Sequence, residues 1–247
     1  MRTHLASKTG ENLSERGFSL FFFVFGRRIL RRMSYLWGRF PIACGRVAAC
    51  TSEDALQMKV GLFIPCYINA VYPRVGQATC ELLTRLGCEV DYPLEQTCCG
   101  QPMANAGFER DARALAERMD ALFAGYDYVV GPSSSCVVFV REGYPRLLPD
   151  YRPHACVDAR IWEVCEFIHD ILRPTHLDAR FPHRVSLHNS CHGVRHMGLS
   201  SPSEQHVPCY SKLRDLLAMV DGVEVVEPER RDECCGFGGM FSVEENA

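Results

Sequence analysis

The sequence predicts an α/β fold made of two similar βα repeats with mostly parallel strands, the second repeat incomplete. Three observations carry this expectation. From Met58 onward, short apolar runs alternate with amphipathic stretches, the pattern of strands interleaved with helices. The run Met58-Lys59-Val60-Gly61-Leu62-Phe63-Ile64-Pro65-Cys66 is echoed by His183-Arg184-Val185-Ser186-Leu187-His188-Asn189-Ser190-Cys191. Each run leads on to a vicinal cysteine pair followed by glycine, Cys98-Cys99-Gly100 and Cys234-Cys235-Gly236. The echo divides the chain into repeats 58–182 and 183–247, behind an extension 1–57 that repeats nothing.

The elements follow in order. Residues 59–64 read as a buried strand closed by Pro65-Cys66, and 75–86 as a helix stopped by Gly87. A second strand, 89–92, runs toward the first cysteine pair. Residues 108–123 carry apolar side chains at helical spacing, and a third strand, 128–130, is closed by Gly131-Pro132 and the loop Ser133-Ser134-Ser135-Cys136. Cys66, Cys98, Cys99 and Cys136 therefore all follow the carboxyl ends of expected strands. In a parallel sheet those ends share one edge, where open α/β sheets place their sites. The second half repeats the order with a strand at 184–188, a helix at 212–220 and a strand at 223–226. The chain runs only eleven residues beyond Gly236, whereas Cys136 follows Gly100 by thirty-six. The second repeat is thus expected to lack its last βα unit and fourth cysteine, and the chain to hold at most one metal centre.

Composition narrows the class. The chain has 247 residues, 14 cysteines and a net charge of −3. Residues 1–57 carry nine Lys/Arg and four Asp/Glu, a net of +5; the remainder carries eighteen and twenty-six, a net of −8. An acidic body argues against nucleic acid as a partner. The apolar run 18–25, followed by Arg27, Arg28, Arg31 and Arg32, is too short to span a bilayer, so no stable membrane insertion is expected. Three readings of 1–57 stand: a membrane-surface anchor, a targeting segment, or sequence ahead of a true start at Met58. The last is favoured, because Met58 opens the strand pattern. Vicinal cysteines suit a disulfide framework poorly, which points to metal or redox chemistry in a cytoplasmic protein. Cys80, Cys88, Cys156, Cys165 and Cys209 are expected to be buried small apolar residues.

Thiolates are soft ligands that select iron–sulfur clusters, zinc or copper(I). Four can saturate a tetrahedral zinc or the irons of a 4Fe–4S cluster. A vicinal pair has a restricted bite and binds neighbouring metals more naturally than it chelates one ion. The candidate metal ligands are Cys66, Cys98, Cys99 and Cys136 in the first repeat and Cys191, Cys234 and Cys235 in the second. Their spacing matches neither a zinc ribbon nor a ferredoxin run. His188 and His192 flank Cys191 and are read as hydrogen-bonded structural residues. No catalytic side chain is assigned. Gly236-Phe237-Gly238-Gly239 lacks the residues of a nucleotide loop, and Ser133-Ser134-Ser135 lacks the surroundings of a nucleophile and reads as a turn.

The array C-x31-C-C-G-x35-C, repeated in part, resembles the CCG or cysteine-rich domain of heterodisulfide reductase B subunits and of glycolate- and glycerol-3-phosphate-oxidising iron–sulfur subunits. With its two repeats and the phrases Thr97-Cys98-Cys99-Gly100-Gln101-Pro102 and Cys234-Cys235-Gly236-Phe237-Gly238-Gly239, the chain is more similar to the lactate utilization protein A (LutA/YkgE) family. Cys136-Val137-Val138-Phe139 lacks the second cysteine that closes the array in the larger relatives. The resemblance implies an oxidoreductase subunit that passes electrons from L-lactate oxidation to pyruvate. It also implies a ferredoxin-like iron–sulfur partner and a third small subunit. Two alternatives stand beside it: a thiol or heterodisulfide oxidoreductase using Cys98 and Cys99 directly, and a zinc-bound structural subunit.

Overall fold

The computed structural model describes residues 58–150, 157–229, 231 and 233–237. The extension 1–57 and Cys156 lie outside them. Strand β1 (Lys59–Leu62) is an unbroken apolar run after Lys59 because both its faces are covered. A short helix α1 (Cys66–Val71) follows, then α2 (Pro73–Arg85), which starts on a proline already fixed at helical φ. Val75, Thr79, Cys80 and Leu83 line the buried face of α2. Gly87, at φ 93°, ends it, and the Cys88 N–H closes back on the Leu83 carbonyl at 3.1 Å. Strand β2 (Glu89–Asp91), helix α3 (Gln101–Asn105) and helix α4 (Glu109–Leu122) come next, then β3 (Tyr128–Gly131) and α5 (Ser134–Val138). A π-helical turn (Phe139–Gly143) joins α5 to α6 (Tyr144–Leu147). The first half closes with β4 (Ile161–Glu163) and α7 (Val164–Phe167).

The four strands form one parallel sheet in the order β2-β1-β3-β4. The fold is α/β, as expected; β4 adds a strand that the sequence pattern did not reveal. Gly61 of β1 is required by a close approach, since a Cβ there would stand 2.7 Å from the Phe123 ring and 2.9 Å from Tyr126. Phe123 in turn meets Phe63 edge-on, with ring centroids 6.2 Å apart.

The second half contributes β5 (Arg184–Val185), α8 (Cys191–Arg195), α9 (Lys212–Ala218) and β6 (Glu224–Val225). Its two strands pair in parallel. Among the described residues, its apolar side chains do not form a core of their own. Met197, Leu199 and Leu213 pack with Phe63, Phe123 and Val137, while Leu216 and Val220 pack with Val60, Leu83 and Phe167. Lys212 also donates to Asp170, whose other oxygen meets His169 at 2.6 Å, fastening α9 to the turn after α7. Cys80 and Cys88 are buried as expected, and Cys165 is part-buried between the two clusters. Cys209 is a correction: it is exposed, in a loop where the Arg231 guanidinium reaches its sulfur.

Buried charge gathers at the end of β4. Glu163 caps α7, accepting from the Cys165 N–H at 2.7 Å and the Glu166 N–H at 3.2 Å, while Glu166 reaches back to the Glu163 N–H. Arg141 grips both Glu166 oxygens at 3.0 and 2.7 Å, donates to the Ile161 carbonyl at 2.9 Å, and lies over the Trp162 ring. Burial pushes the Glu163 carboxyl up from 4.5 to about 7, against the pull of its two backbone donors. The folded pKa exceeds the unfolded one, so the stabilising contribution is complete below about 4.5 and is lost as pH rises toward 7. Over that window Glu163 is expected to cost about 3 kcal/mol of stability. Glu163→Gln should flatten this part of the profile in urea unfolding across the same pH range. An unchanged slope would show that Glu163 does not titrate there.

Candidate metal centre

The parallel sheet brings four cysteines to one edge. Cys66 opens α1 just past β1, Cys136 sits in α5 just past β3, and Cys98 and Cys99 lie in the loop past β2. The loop is held by Gln96. The Ile64 N–H donates to its Oε1 at 2.8 Å, and its Nε2 donates to the Leu62 carbonyl at 3.1 Å and the Pro93 carbonyl at 3.0 Å. One amide thus ties the end of β1 to the segment leading into the cysteine pair. Gly100 then turns the chain at φ 92°, and its N–H donates to the Cys98 sulfur at 3.4 Å. From below, the Tyr144 hydroxyl faces the Cys99 carbonyl at 2.9 Å and the Met119 sulfur at 3.0 Å.

The four thiols form a row. Cys66 interacts with Cys98, Cys98 with Cys99, and Cys99 with Cys136. The first two are the more open: Cys66 is exposed to solvent and Cys98 half-buried, while Cys99 and Cys136 are 2% and 6% exposed. Protons distribute unevenly. Donation from Cys66 and Cys99, and then from the Gly100 N–H, holds the Cys98 thiol far below its ordinary range despite burial. Cys136 is likewise lowered, by Cys99 first and by the Ser133 and Ser135 hydroxyls. Cys66, through its bond to Cys98 and then burial, and Cys99, through Cys136, Cys98 and burial, are pushed well up.

Soft donors of this kind suit iron–sulfur clusters or zinc. Among the described residues, no group of three or more His, Cys, Asp or Glu side chains is arranged around a single metal ion. Four thiols gathered at one sheet edge fit such a centre.

The second set keeps the local turns without the same assembly. Cys191 opens α8 behind the Ser190 cap, and the Gly236 N–H donates to the Cys234 sulfur at 3.4 Å with Gly236 at φ 74°. Cys191, Cys234 and Cys235 are all exposed. His188 Nε2 lies 3.1 Å from the Glu233 carbonyl, drawing the second Cys-Cys-Gly loop toward the end of β5. His192 stacks on His196, which meets the Glu142 carboxylate at 2.9 Å. Sequence reading missed Gln96, Tyr67, Tyr144 and the role of the serines. Only the closeness of Gln96, Ser133 and Ser135 to the cysteines could have signalled them.

The two glycines differ in one measurable respect. A Cβ at Gly100 would stand 3.1 Å from the Ala112 carbonyl oxygen, whereas one at Gly236 meets nothing within 4 Å. Gly236→Ala is expected to cost about 1–2 kcal/mol for its backbone conformation alone. Gly100→Ala should cost more, through crowding against α4. Equal losses in denaturant unfolding would contradict the crowding.

Comparison with known proteins accords with this geometry. The family model described as a cysteine-rich domain, CCG, matches residues 60–141 and 185–247. Lactate utilization protein A of an Exiguobacterium species is 42% identical over 190 residues, covering 74% of this chain and 73% of that protein. Its namesake in Geobacillus thermodenitrificans is 44% identical over 190 residues, covering 75% of each. Lactate utilization protein A 1 of Bacillus mycoides is 37% identical, covering 75% and 74%. No solved structure matches the chain. By its paired cysteine-rich regions and its identity with these relatives, the chain belongs to the lactate utilization protein A family.

Proposed function

We propose that this chain is an iron–sulfur oxidoreductase subunit that passes electrons during oxidation of L-lactate to pyruvate. The observation that carries this reading is the row of four sulfurs at one sheet edge, together with the names of the relatives. Cys66, Cys98, Cys99 and Cys136 would hold the centre of the first repeat, and Cys191, Cys234 and Cys235 belong to a second, open site. When bound, a 4Fe–4S or related cluster supplies acceptance and release of single electrons. The protein's own part is to fix the sulfurs and shed protons. Thiol ligands must lose their protons on binding, and the site holds the Cys98 and Cys136 thiols low and those of Cys66 and Cys99 high. Gln96 and Gly100 set the spacing of the pair.

Oxidation of lactate yields two electrons that must be delivered elsewhere, so the subunit acts with others. A ferredoxin-like iron–sulfur subunit and a third small subunit are the partners we assign. Val71, Tyr72, Leu94, Met103 and Phe108 stand exposed on the segments beside the cysteines, which suits contact with another protein. No described helix is long and apolar enough to cross a membrane, and a thiol-rich site suits a reducing cytoplasm, the compartment we assign.

A second reading rests on Cys98, whose thiol is held low between Cys66 and Cys99, as suits a thiol–disulfide reagent. One experiment separates the readings. The full chain, purified and reconstituted anaerobically, is expected to be brown and to contain both iron and acid-labile sulfide. Cys98→Ser and Cys136→Ser should each lose most of that iron, while Cys191→Ser should leave the first centre in place. Colourless protein with stoichiometric zinc would make this a structural subunit. Metal-free protein that reduces disulfides would establish the thiol reading.

A further inference from the structure

Ser133 occupies the N-cap position of α5 yet makes no capping bond. Its backbone is extended, at φ −154° and ψ 106°, as a cap requires, but its side chain accepts no helix N–H. The contrast lies within the same chain. Ser190 accepts from the Gly193 N–H at 3.0 Å and Ser211 from the Arg214 N–H at 3.3 Å, both as ordinary caps. The Ser133 hydroxyl is instead turned into the site. It accepts from the Tyr67 hydroxyl at 3.2 Å, and its oxygen lies 3.4 Å from that of Ser135. Ser133 and Ser135 stand three and one residues before Cys136 at the start of α5, and both hydroxyls help to hold its thiol below the ordinary range. Ser133 and Cys136 are each 6% exposed, while Tyr67 is 43% exposed. A line of hydroxyls thus runs from the surface to the most deeply set end of the thiol row. The helix forgoes a cap worth about 1 kcal/mol for it.

We propose that Tyr67, Ser133 and Ser135 form a hydroxyl relay ending on the Cys136 sulfur, which makes the centre at this site easier to reduce. The inference rests on the iron–sulfur reading above and adds which groups tune that centre. An added electron places negative charge partly on the ligand sulfurs, and O–H dipoles aimed at a sulfur stabilise that state more than the oxidised one. Ser133 acts on the sulfur directly. Tyr67 acts through Ser133: by donating to its oxygen it frees the serine proton for sulfur and polarises that O–H. These are positioning and tuning groups, for none of them is a ligand.

The test uses the full chain reconstituted anaerobically with iron and sulfide. Iron content is measured beside the midpoint potential, obtained by dye-mediated titration followed optically and by electron paramagnetic resonance. Ser133→Ala is expected to keep its iron and to shift the oxidised-to-reduced ratio at fixed potential about tenfold toward oxidised, about 59 mV for a one-electron couple. Ser133→Thr, which keeps the hydroxyl, should restore the wild-type value. Tyr67→Phe should shift the potential in the same direction by less, and should add nothing to Ser133→Ala. Tyr67 is exposed and its ring is retained, so this variant reports even where Ser133→Ala takes up no iron. Potentials unchanged at unchanged iron content overturn the relay and leave the iron–sulfur reading standing. Additive effects of Tyr67→Phe and Ser133→Ala overturn the through-Ser133 order. A wild-type chain that takes up no iron and sulfide overturns both proposals.

Discussion

Everything at the thiol site depends on the parallel pairing of β1 between β2 and β3. Cys66, Cys98 and Cys136 are dozens of residues apart, and no local structure could join them. Parallel strands remove the distance, because each crossover helix returns the chain to the same side before the next strand begins. The register Gly61↔Asp91 and Gly61↔Val129 brings three strand ends level. The sulfurs then stand at the start of α1, in the loop before α3, and in α5, each within a few residues of a fixed strand end. The Gln96 amide removes the remaining freedom of the longest of these connections by occupying backbone groups that β1 leaves open. Antiparallel pairing of any one strand would send its cysteine to the opposite edge.

Much of this was readable in advance, for reasons specific to each element. Strand β1 was expected over 59–64 and ends at Leu62: Phe63 still donates to the Val130 carbonyl at 2.9 Å, but the Ile64 N–H turns to the Gln96 side chain in place of a neighbouring strand. The helices α2 and α4 fall within a residue or two of their expected ends, since their apolar spacing and flanking glycine or proline are strong local signals. Strand β4 was not legible. Its three residues, Ile161-Trp162-Glu163, are too few for a period, and the buried Glu163 reads as surface until its capping bonds are seen. Cys209 failed the opposite way: small-apolar character says nothing about a residue in an exposed loop beside arginine. The cysteine set was visible as spacing, but the row of contacts and its proton pattern belong to tertiary geometry. So does the work of the serines, whose sequence context is that of a turn.

The two halves share local chemistry more closely than architecture. Both place a cysteine at the first position of a short helix after a strand, and both turn a Cys-Cys-Gly loop with a glycine N–H on the first sulfur at 3.4 Å. These are short-range features that travel with a few residues. What differs is support. The first loop is pinned by Gln96 and braced by α4, while the second rests on solvent-facing contacts such as that of His188 with Glu233. The apolar side chains of the second half also complete the clusters of the first, so the repeats are distinct in sequence and joint in packing.

The order of the thiol row separates accessibility from reactivity. The sulfur that any diffusing oxidant or electrophile meets first is Cys66, and there the proton is held tightly. The thiols that the site holds low lie one place further in, at Cys98, and again at the buried Cys136. Since it is the thiolate that reacts, the sulfur most open to solvent is among the least disposed to attack.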